Sequence, residues 1–304
     1  MAVKLPNFLI VGAAKAGTTS LYYYLKEHPE IYMSPIKEPK FITSNFLKFP
    51  FKGIGDDLVE KNIIKNFESY QKLFLGVKNE KAIGEASADN LYYYKKSINY
   101  IKKILGEVKI IIILRNPIDR AFSAYSHLMR DNREFLTFED ALKQEENRKK
   151  KNWEFIWYYK DVGFYYNQVK AYLENFSEVK VYLYDDLKKD PLSLVQDIYR
   201  FLEVDDSFIP KSIGEKFNVS GVPKNKFLHE FLTKPNPVKS AIKPLVKLIL
   251  PKETRQRLLN KLLQKNLKKP EMKPETREYL KGLYREDILK LQDLIKKDLS
   301  HWLK

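Results

Sequence analysis

The chain has 304 residues, no cysteine and four histidines. Disulfides and thiolate metal sites are therefore excluded, and because the histidines show no metal-ligand spacing, no metal site is predicted. A net charge of +16 predicts a surface that attracts anions, which limits the partners by sign to nucleotides, acidic glycans, acidic lipid or nucleic acid.

The first residues, "MAVKLPNFLIVG", lack the long apolar stretch and small-residue cleavage site of a signal peptide. No uncharged run approaches the roughly 20 residues that a membrane-spanning helix needs. We therefore expect a soluble, cytoplasmic protein.

Strand and helix patterns alternate along the first two thirds of the chain. Buried strands are predicted at 7–13, 81–87, 108–115 and 178–187. Helices are predicted up to about Glu27 and at about 56–75, 92–105, 117–130, 137–149, 163–176 and 190–203. This order predicts an α/β fold with a parallel sheet flanked by helices. Ligands bind beyond the carboxyl ends of such strands, so we expect the chemistry in the loops after Ala13, Glu85 and Leu114.

From about Pro235 the strand patterns stop and basic helical patterns begin. We predict an α/β core over residues 1–234 and a helical C-terminal extension over 235–304 that packs on the same domain. The segment 238–250 has one apolar helical face and several lysines elsewhere on the helix. We expect this helix to pack on the main domain, and a peripheral membrane or partner contact is the alternative.

Residues 12–21, "GAAKAGTTSL", directly follow the apolar run "FLIV". Gly12, Gly17 and Thr19 keep the spacing of a phosphate-binding P-loop, but Thr18 occupies the usual lysine position and Lys15 lies inside the loop. The glycines let the backbone approach an anion closely, and the positive end of the following helix favours it. The segment therefore predicts an anion site with a displaced lysine.

The segment "LRNPIDRAFSAYSHLMR" at 114–130 predicts a second anion site. Arg115 stands at the end of a buried strand, where a P-loop NTPase would need an acidic residue for its metal. Ser123 lies two turns into the next helix, and His127 follows on the same face. Because arginine and serine both bind phosphate oxygens, two such sites at adjacent strand ends suit a nucleotide with phosphates at both ends.

Together the two motifs resemble the sulfotransferases that use 3′-phosphoadenosine 5′-phosphosulfate (PAPS). "VGAAKAGTTSLYYYLKEHP" is similar to their 5′-phosphosulfate loop, and "LRNPIDRAFSAY" to their 3′-phosphate motif. "SPIKEPKFI" and "GEASADNLY" resemble segments of the bacterial and heparan-type branch. The resemblance covers nearly the whole chain. It implies a sulfotransferase fold akin to P-loop nucleotide kinases, and transfer of sulfonate from PAPS to a hydroxyl or amine.

The resemblance also implies residue roles. The 5′ end of PAPS would be held by Lys15, Ala16, Gly17, Thr18, Thr19 and Ser20. Arg115 and Ser123 would bind the 3′-phosphate, and a basic covering loop at 218–228 would add Lys224, Asn225 and Lys226. Lys15 would stabilise the leaving phosphate without a metal, because a sulfuryl group carries less negative charge than a phosphoryl group.

An acceptor loses a proton as it attacks sulfur, so a base must lie near the transferred group. Glu38, between Pro35 and Pro39, corresponds to the catalytic glutamate of the heparan-type branch. His127 is the competing base, although its position is more similar to that of a family histidine that contacts the phosphosulfate. The aromatic segment "WEFIWYY" at 153–159 is a candidate lid on the acceptor side.

One departure from the family affects the acceptor. Heparan-type enzymes carry a lysine where this chain has Ala86, after Glu85, so heparan specificity does not transfer. A glycan, a lipid headgroup and a small alcohol all stay open as acceptors, and the oligomeric state is not determined.

Two other functions stay open. The first is a P-loop kinase or NTPase with Asp185 or Asp186 as the metal-site acid. The second is a non-catalytic basic binder of acidic glycan or nucleic acid. No specific nucleic-acid motif is present, so a nucleic-acid partner is not expected.

Overall fold

The structure, a computed structural model, describes residues 3–215, 221–225, 231, 262, 266–268 and 270–304. The strands are β1 (Phe8–Gly12), β2 (Ile31–Met33), β3 (Ala82–Ala86), β4 (Lys109–Leu114), β5 (Val179–Leu183), β6 (Val222–Pro223) and β7 (Leu267–Lys268). The helices up to residue 105 are α1 (Thr18–Lys26), α2 (Phe41–Ser44), α3 (Asp56–Glu60), α4 (Phe67–Lys72), α5 (Asp89–Tyr92) and α6 (Tyr94–Leu105). The later helices are α7 (Pro117–Arg130), α8 (Phe138–Lys143), α9 (Glu145–Lys150), α10 (Tyr166–Asn175), α11 (Tyr184–Lys189), α12 (Pro191–Phe201) and α13 (Pro274–Ile295). Short 3₁₀ turns lie at Phe155–Trp157, Asp161–Gly163 and Ser300–Leu303.

The main sheet confirms the predicted parallel architecture. Its five strands are in the order β2-β3-β1-β4-β5, and every neighbouring pair is parallel. All residues of β1 are buried, as are those of β4 after Lys109, which is typical of strands covered on both faces. Since β1 lies between β3 and β4, the loops that follow these three strands meet at one edge of the sheet.

Several predicted boundaries were wrong. Strand β2 was not predicted because three residues are too few to show a pattern. The single helix predicted at 56–75 is two helices, and Asn66 caps the second by accepting a hydrogen bond from the Ser69 amide. The helix predicted at 137–149 is likewise divided, and the strand predicted at 178–187 ends at Leu183 because helix α11 begins at Tyr184.

The C-terminal helix α13 packs against α7 and α10. Its buried face carries Leu280, Tyr284, Ile288 and Leu291, and the Tyr284 hydroxyl donates to the Lys160 carbonyl at 2.7 Å. The boundary predicted at residues 234 and 235 and the helix predicted at 238–250 lie outside the described residues, so the two-part division stays a prediction. Within the described ranges, no helix combines the length and the apolar composition needed to cross a bilayer.

Candidate active site

A cleft of about 1040 Å³ opens at the carboxyl edge of the sheet. Its lining includes residues that follow each of the three adjacent strands: Lys15 after β1, Ala88 after β3 and Arg115 after β4. The three loops in which the sequence predicts the chemistry therefore contribute to one cavity, as the rule for open α/β sheets requires.

The loop after β1 leads into α1 through Gly17, whose φ of 102° lies in the left-handed region. No side chain caps this helix, and its first turn contains no acidic residue. Gly17, Thr18, Thr19 and Ser20 all line the cleft, whereas Ala16 is fully buried beneath it. The positive end of the helix thus faces the cleft, as an anion site requires.

Lys15 stands in a concentration of positive charge. Burial, followed by the charge of Arg130, lowers the pKa of Lys15 to about 7, while Asp131 opposes the change and Arg115 and Lys37 add to it. Among the described residues, no acidic group lies within ion-pair distance of the Lys15 ammonium. A bound anion would relieve this repulsion, so the electrostatics fit a strongly anionic ligand.

Arg115 lies beside Lys15, because its Nη1 donates to the Lys15 carbonyl oxygen at 3.2 Å. Its guanidinium also stacks on the ring of Tyr184, 5.0 Å from the ring centroid. Ser123, on α7, lines the same cleft. The structure therefore brings Arg115 and Ser123 into one cleft with the Lys15 loop.

The predicted covering loop is described only in part. Lys224 and Asn225 follow β6, which packs against α7. Both residues are hydrogen-bonded to Asn266. The Asn266 carbonyl accepts from the Lys224 amide at 2.7 Å, and the Asn266 side chain accepts from the Asn225 amide and donates to the Asn225 carbonyl. Both side chains are exposed and neither lines the cleft. Lys226 lies outside the described residues.

Glu38 lines the same cleft as Lys15 and Arg115, and its backbone is fixed. Its φ is 59°, and its amide donates to the Ala86 carbonyl at 2.9 Å. Oε2 accepts from the Ala88 amide at 2.9 Å, and Oε1 accepts from Lys37 Nζ at 2.6 Å. Burial alone would raise the pKa of Glu38, but the charges of Lys37 and Lys40 outweigh it and hold the pKa below its usual value. Glu38 is therefore ionised at neutral pH.

His127 lines the cleft as a neutral side chain. Burial, followed by the charges of Lys15 and Arg130, holds its pKa well below the usual value. Arg130 Nη2 lies 2.8 Å from His127 Nδ1. Since a guanidinium can only donate, Nδ1 accepts this bond and the ring proton stays on Nε2. His127 is thus arranged as a hydrogen-bond donor, which favours Glu38 over His127 as the base.

We call the part of the cleft around Glu38 the Glu38 wall. It is formed by Lys37, Glu38, Lys40, Val59, Arg133, Glu154, Phe155 and Ile156. Lys40 Nζ donates to Glu154 Oε1 at 2.6 Å. Behind the wall, the fully buried carboxylate of Asp56 accepts from Arg133 and from the Glu154 amide at 2.9 Å. These contacts fix the wall through buried charges.

The prediction of a lid at 153–159 was wrong. Trp157 and Tyr159 are fully buried, and Trp157 Nε1 donates to Asp56 at 2.9 Å. Phe155 and Ile156 line the cleft, but they belong to a packed wall. The aromatic side chains pack in the core because each buries a large apolar area.

The structure does not support Asp185 or Asp186 as the metal-binding acid of a P-loop kinase or NTPase. Asp185 accepts from Trp302 Nε1 at 3.0 Å and pairs with Lys188 at 2.9 Å, whereas Asp186 lies 3.5 Å from Lys297. Neither carboxylate lines the cleft. In the part of the chain that the structure describes, no cluster of three or more acidic, histidine or cysteine residues has a metal-binding arrangement.

Sequence reasoning missed several residues of the cleft. Lys37 and Lys40 flank Glu38 in "PIKEPKF", and this proximity was a visible signal. Arg133 and Tyr184 come from distant segments and carried no signal in the sequence, whereas Glu154 lies within the segment 153–159 that was singled out only for its aromatic residues.

The described residues thus form a parallel α/β sheet with Lys15 in the loop after its central strand and Arg115 directly after the adjacent strand, and both line a cleft at the carboxyl edge, where α/β proteins bind their ligands. Comparison with known families is more specific. The model of the sulfotransferase family matches residues 6–208, and the chain belongs to this family.

A solved relative matches over the full length. The crystal structure of a sulfotransferase from Alicyclobacillus acidocaldarius is 36% identical, covers 99% of this chain and 100% of its own, and superimposes with a TM-score of 0.78.

Two curated relatives match over shorter segments. The membrane-associated sulfotransferase kil1 of Dictyostelium discoideum is 35% identical over 40% of this chain and 22% of its own. The bifunctional heparan sulfate N-deacetylase/N-sulfotransferase 4 of Mus musculus is 28% identical over 66% of this chain and 22% of its own. The matched part of this chain thus spans less than a quarter of either relative.

Proposed function

We propose that the protein transfers the sulfonate group of PAPS to a hydroxyl or amine of an acceptor. The observation that carries the proposal is the convergence of the Lys15 loop, Arg115 and Glu38 on a single cleft. In the overall reaction the acceptor oxygen or nitrogen forms a bond to sulfur, and the bond from sulfur to the 5′-phosphate oxygen breaks. The products are the sulfated acceptor, adenosine 3′,5′-bisphosphate (PAP) and the acceptor proton.

The donor set of the cleft fits PAPS, which is anionic at both ends. We propose that Lys15 and the first turn of α1 hold the 5′ end, and that Arg115 and Ser123 hold the 3′-phosphate. PAPS supplies the activated sulfonate when it is bound. Lys15 would neutralise the negative charge that grows on the 5′-phosphate as its bond to sulfur breaks, which is the electrostatic role that a metal fills in phosphoryl transfer.

We propose Glu38 as the base that takes the acceptor proton. It is ionised at neutral pH, and Lys37 and the Ala88 amide fix its carboxylate at the cleft surface. Fixed orientation is the main requirement of such a group, since a base must lie within hydrogen-bond reach of the proton. His127 would donate its Nε2 proton to an oxygen of the phosphosulfate.

The name of one relative includes heparan sulfate, which makes a sugar hydroxyl or amine a candidate acceptor for this chain. The cytoplasmic location stays a prediction of the sequence.

The proposal is tested by thermal unfolding with PAP and by turnover of PAPS. We expect PAP to raise the melting temperature without Mg²⁺, because the cleft binds the anion through Lys15 and Arg115. Glu38→Gln should keep this stabilisation and lower kcat by about 10²- to 10⁴-fold, the range typical of a lost general base. Glu68→Gln, which removes an exposed carboxylate paired with Lys72, is the matched control and should leave kcat unchanged.

Two results would contradict the proposal. Full activity of Glu38→Gln would remove that residue from the reaction. Stabilisation by Mg·ATP with its hydrolysis, in the absence of stabilisation by PAP, would favour the kinase or NTPase alternative.

A further inference from the structure

Glu85 is a buried carboxylate for which the proposed reaction gives no role. It lies on β3 and is 1% exposed. In the described part of the chain its hydrogen bonds come from two hydroxyls, Tyr70 at 2.6 Å and Ser87 Oγ at 2.5 Å. Burial raises the pKa of Glu85 to about 7, against the effect of these two bonds. Because a buried carboxylate is costly to a fold, a functional reason for it is expected.

Ser87 connects this carboxylate to the segment that carries Glu38. The Ser87 side chain is buried, and its Oγ accepts from the Lys40 amide at 3.1 Å. A hydroxyl has one proton, and Ser87 donates it to Glu85. Glu85 therefore fixes the rotation of the hydroxyl and leaves the lone pairs of Oγ available to the Lys40 amide.

Three hydrogen bonds join the backbone around Glu38 to the end of β3 and the residues after it. The Glu38 amide donates to the Ala86 carbonyl at 2.9 Å, and the Ala88 amide donates to Glu38 Oε2 at 2.9 Å. The third bond is the one from the Lys40 amide to Ser87 Oγ. Since a side chain after β3 provides only this third bond, a substitution can remove it alone.

The segment that carries Glu38 has an unfavourable backbone. The φ of Glu38 is 59° and that of Lys40 is 52°, and both values lie in the left-handed region that residues with a Cβ rarely adopt. Pro39 lies between them and has no amide proton to donate. Such conformations persist only where surrounding contacts hold them. The contact of Ser87 with the Lys40 amide is one of these contacts.

We propose that Ser87, oriented by Glu85, is a positioning residue that holds Glu38 in the orientation in which its carboxylate takes the acceptor proton. This inference rests on the proposed function, which makes Glu38 the base. Ser87 and Glu85 are buried and do not line the cleft, so they act through the backbone of the Glu38 segment.

Amide hydrogen exchange tests the contact without any acceptor. Ser87→Ala removes the acceptor of the Lys40 amide at nearly the same side-chain volume. We expect exchange at the Glu38 and Lys40 amides to become about fivefold faster, measured by mass spectrometry on peptides that contain both. Ser97→Ala is the matched control and should leave these rates unchanged. Ser97 is a fully buried serine on α6 whose Oγ has no hydrogen-bond partner among the described residues.

Turnover tests the positioning role, with PAP formation from PAPS as the readout and glucosamine, which offers hydroxyls and an amine, as the acceptor. We expect Ser87→Ala to lower kcat by about tenfold and to leave the KM for PAPS unchanged, because a displaced base slows the reaction while the donor site stays intact. In the Glu38→Gln background, Ser87→Ala should cause no further loss, since no base is left to position. A purely structural role would lower kcat equally in both backgrounds.

Glu85→Leu is a second variant for the same comparison. It removes the carboxylate that orients the Ser87 hydroxyl, and it should lower kcat when Glu38 is present and not in the Glu38→Gln background. Should Ser87→Ala fail to fold, Glu85→Leu decides by the same comparison.

The outcomes separate this inference from the proposed function. Unchanged exchange at the Glu38 and Lys40 amides in Ser87→Ala, or an equal loss of kcat in the two backgrounds, would overturn the inference and leave the proposed function in place. Full activity of Glu38→Gln would remove the base on which the inference rests, and absence of PAP binding would overturn the proposed function itself.

Discussion

At the scale of single residues, the displaced lysine is the most informative feature. Lys15 adopts a left-handed backbone conformation, with φ at 69°, and this conformation is unfavourable for a residue with a Cβ. Its ammonium lies close enough to Arg115 and Arg130 for their charges to lower its pKa. Backbone strain and charge repulsion at one residue are typical of functional sites, and a bound anion would relieve the repulsion.

The low pKa of Lys15 predicts how PAP affinity depends on pH. The pKa is about 7 in the free protein, and a bound anion must raise it, so binding takes up a proton above pH 7. We expect affinity to fall by up to about tenfold per pH unit from pH 7 upward. Titration calorimetry between pH 7 and 9 measures this, since the phosphates of PAP titrate near pH 6 and contribute little in that range.

Lys15→Met is the control for this pH dependence. This variant should bind PAP more weakly, and its PAP affinity should not change with pH above pH 7, because the titrating ammonium has been removed. An equal slope in the wild type and in Lys15→Met would assign the titration to another residue.

At the scale of elements, the turn into α1 shapes the proposed anion site. A Cβ on Gly17 would lie 2.8 Å from Leu187 Cδ2 and 3.0 Å from Tyr184 Cδ2, and the φ of 102° is unfavourable for other residues. The glycine therefore allows α11 to pack directly behind the loop. Because Tyr184 also stacks on Arg115, the same contact positions both of the segments that we propose bind anions.

Gly17→Ala should destabilise the protein by about 1–3 kcal/mol and weaken PAP binding, since either the turn or α11 must move. Urea unfolding and calorimetry measure the two effects. Gly282→Ala is the matched control, because Gly282 lies within α13 and a Cβ added there would meet nothing within 4 Å. That substitution should be neutral or stabilising by up to about 1 kcal/mol. Normal PAP affinity in Gly17→Ala would show that the turn is not needed for binding.

At the scale of the whole molecule, the C-terminal segment is tied to the core. Helix α13 packs on α7, the helix that carries Ser123 and His127. The Tyr284 hydroxyl adds to this contact by donating a hydrogen bond to the Lys160 carbonyl. The C-terminal helix therefore packs against a helix of the cleft, and its own Arg277 lines the cleft.

Leu280→Ala should lower the free energy of unfolding by about 3 kcal/mol, because Leu280 is fully buried and the substitution leaves a cavity. Leu289→Ala, on the same helix but 42% exposed, should lower it by less than about 0.5 kcal/mol. Denaturant unfolding compares the two variants. Equal effects would indicate that α13 contributes little to the folded core.

The sequence determined the class of fold and indicated the residues that we propose bind the donor, because the glycine spacing, Lys15 and Arg115 lie at the ends of predictable buried strands. It also indicated Glu38 through the resemblance of its segment to a family motif. The pairing of Lys40 with Glu154 and of Arg133 with Asp56 joins residues that lie 114 and 77 positions apart, so no local pattern could reveal it. Only the tertiary structure therefore decided that Lys40 and Arg133 are each paired with a carboxylate, because ion pairing depends on which side chains meet in space and not on how many charges the chain contains.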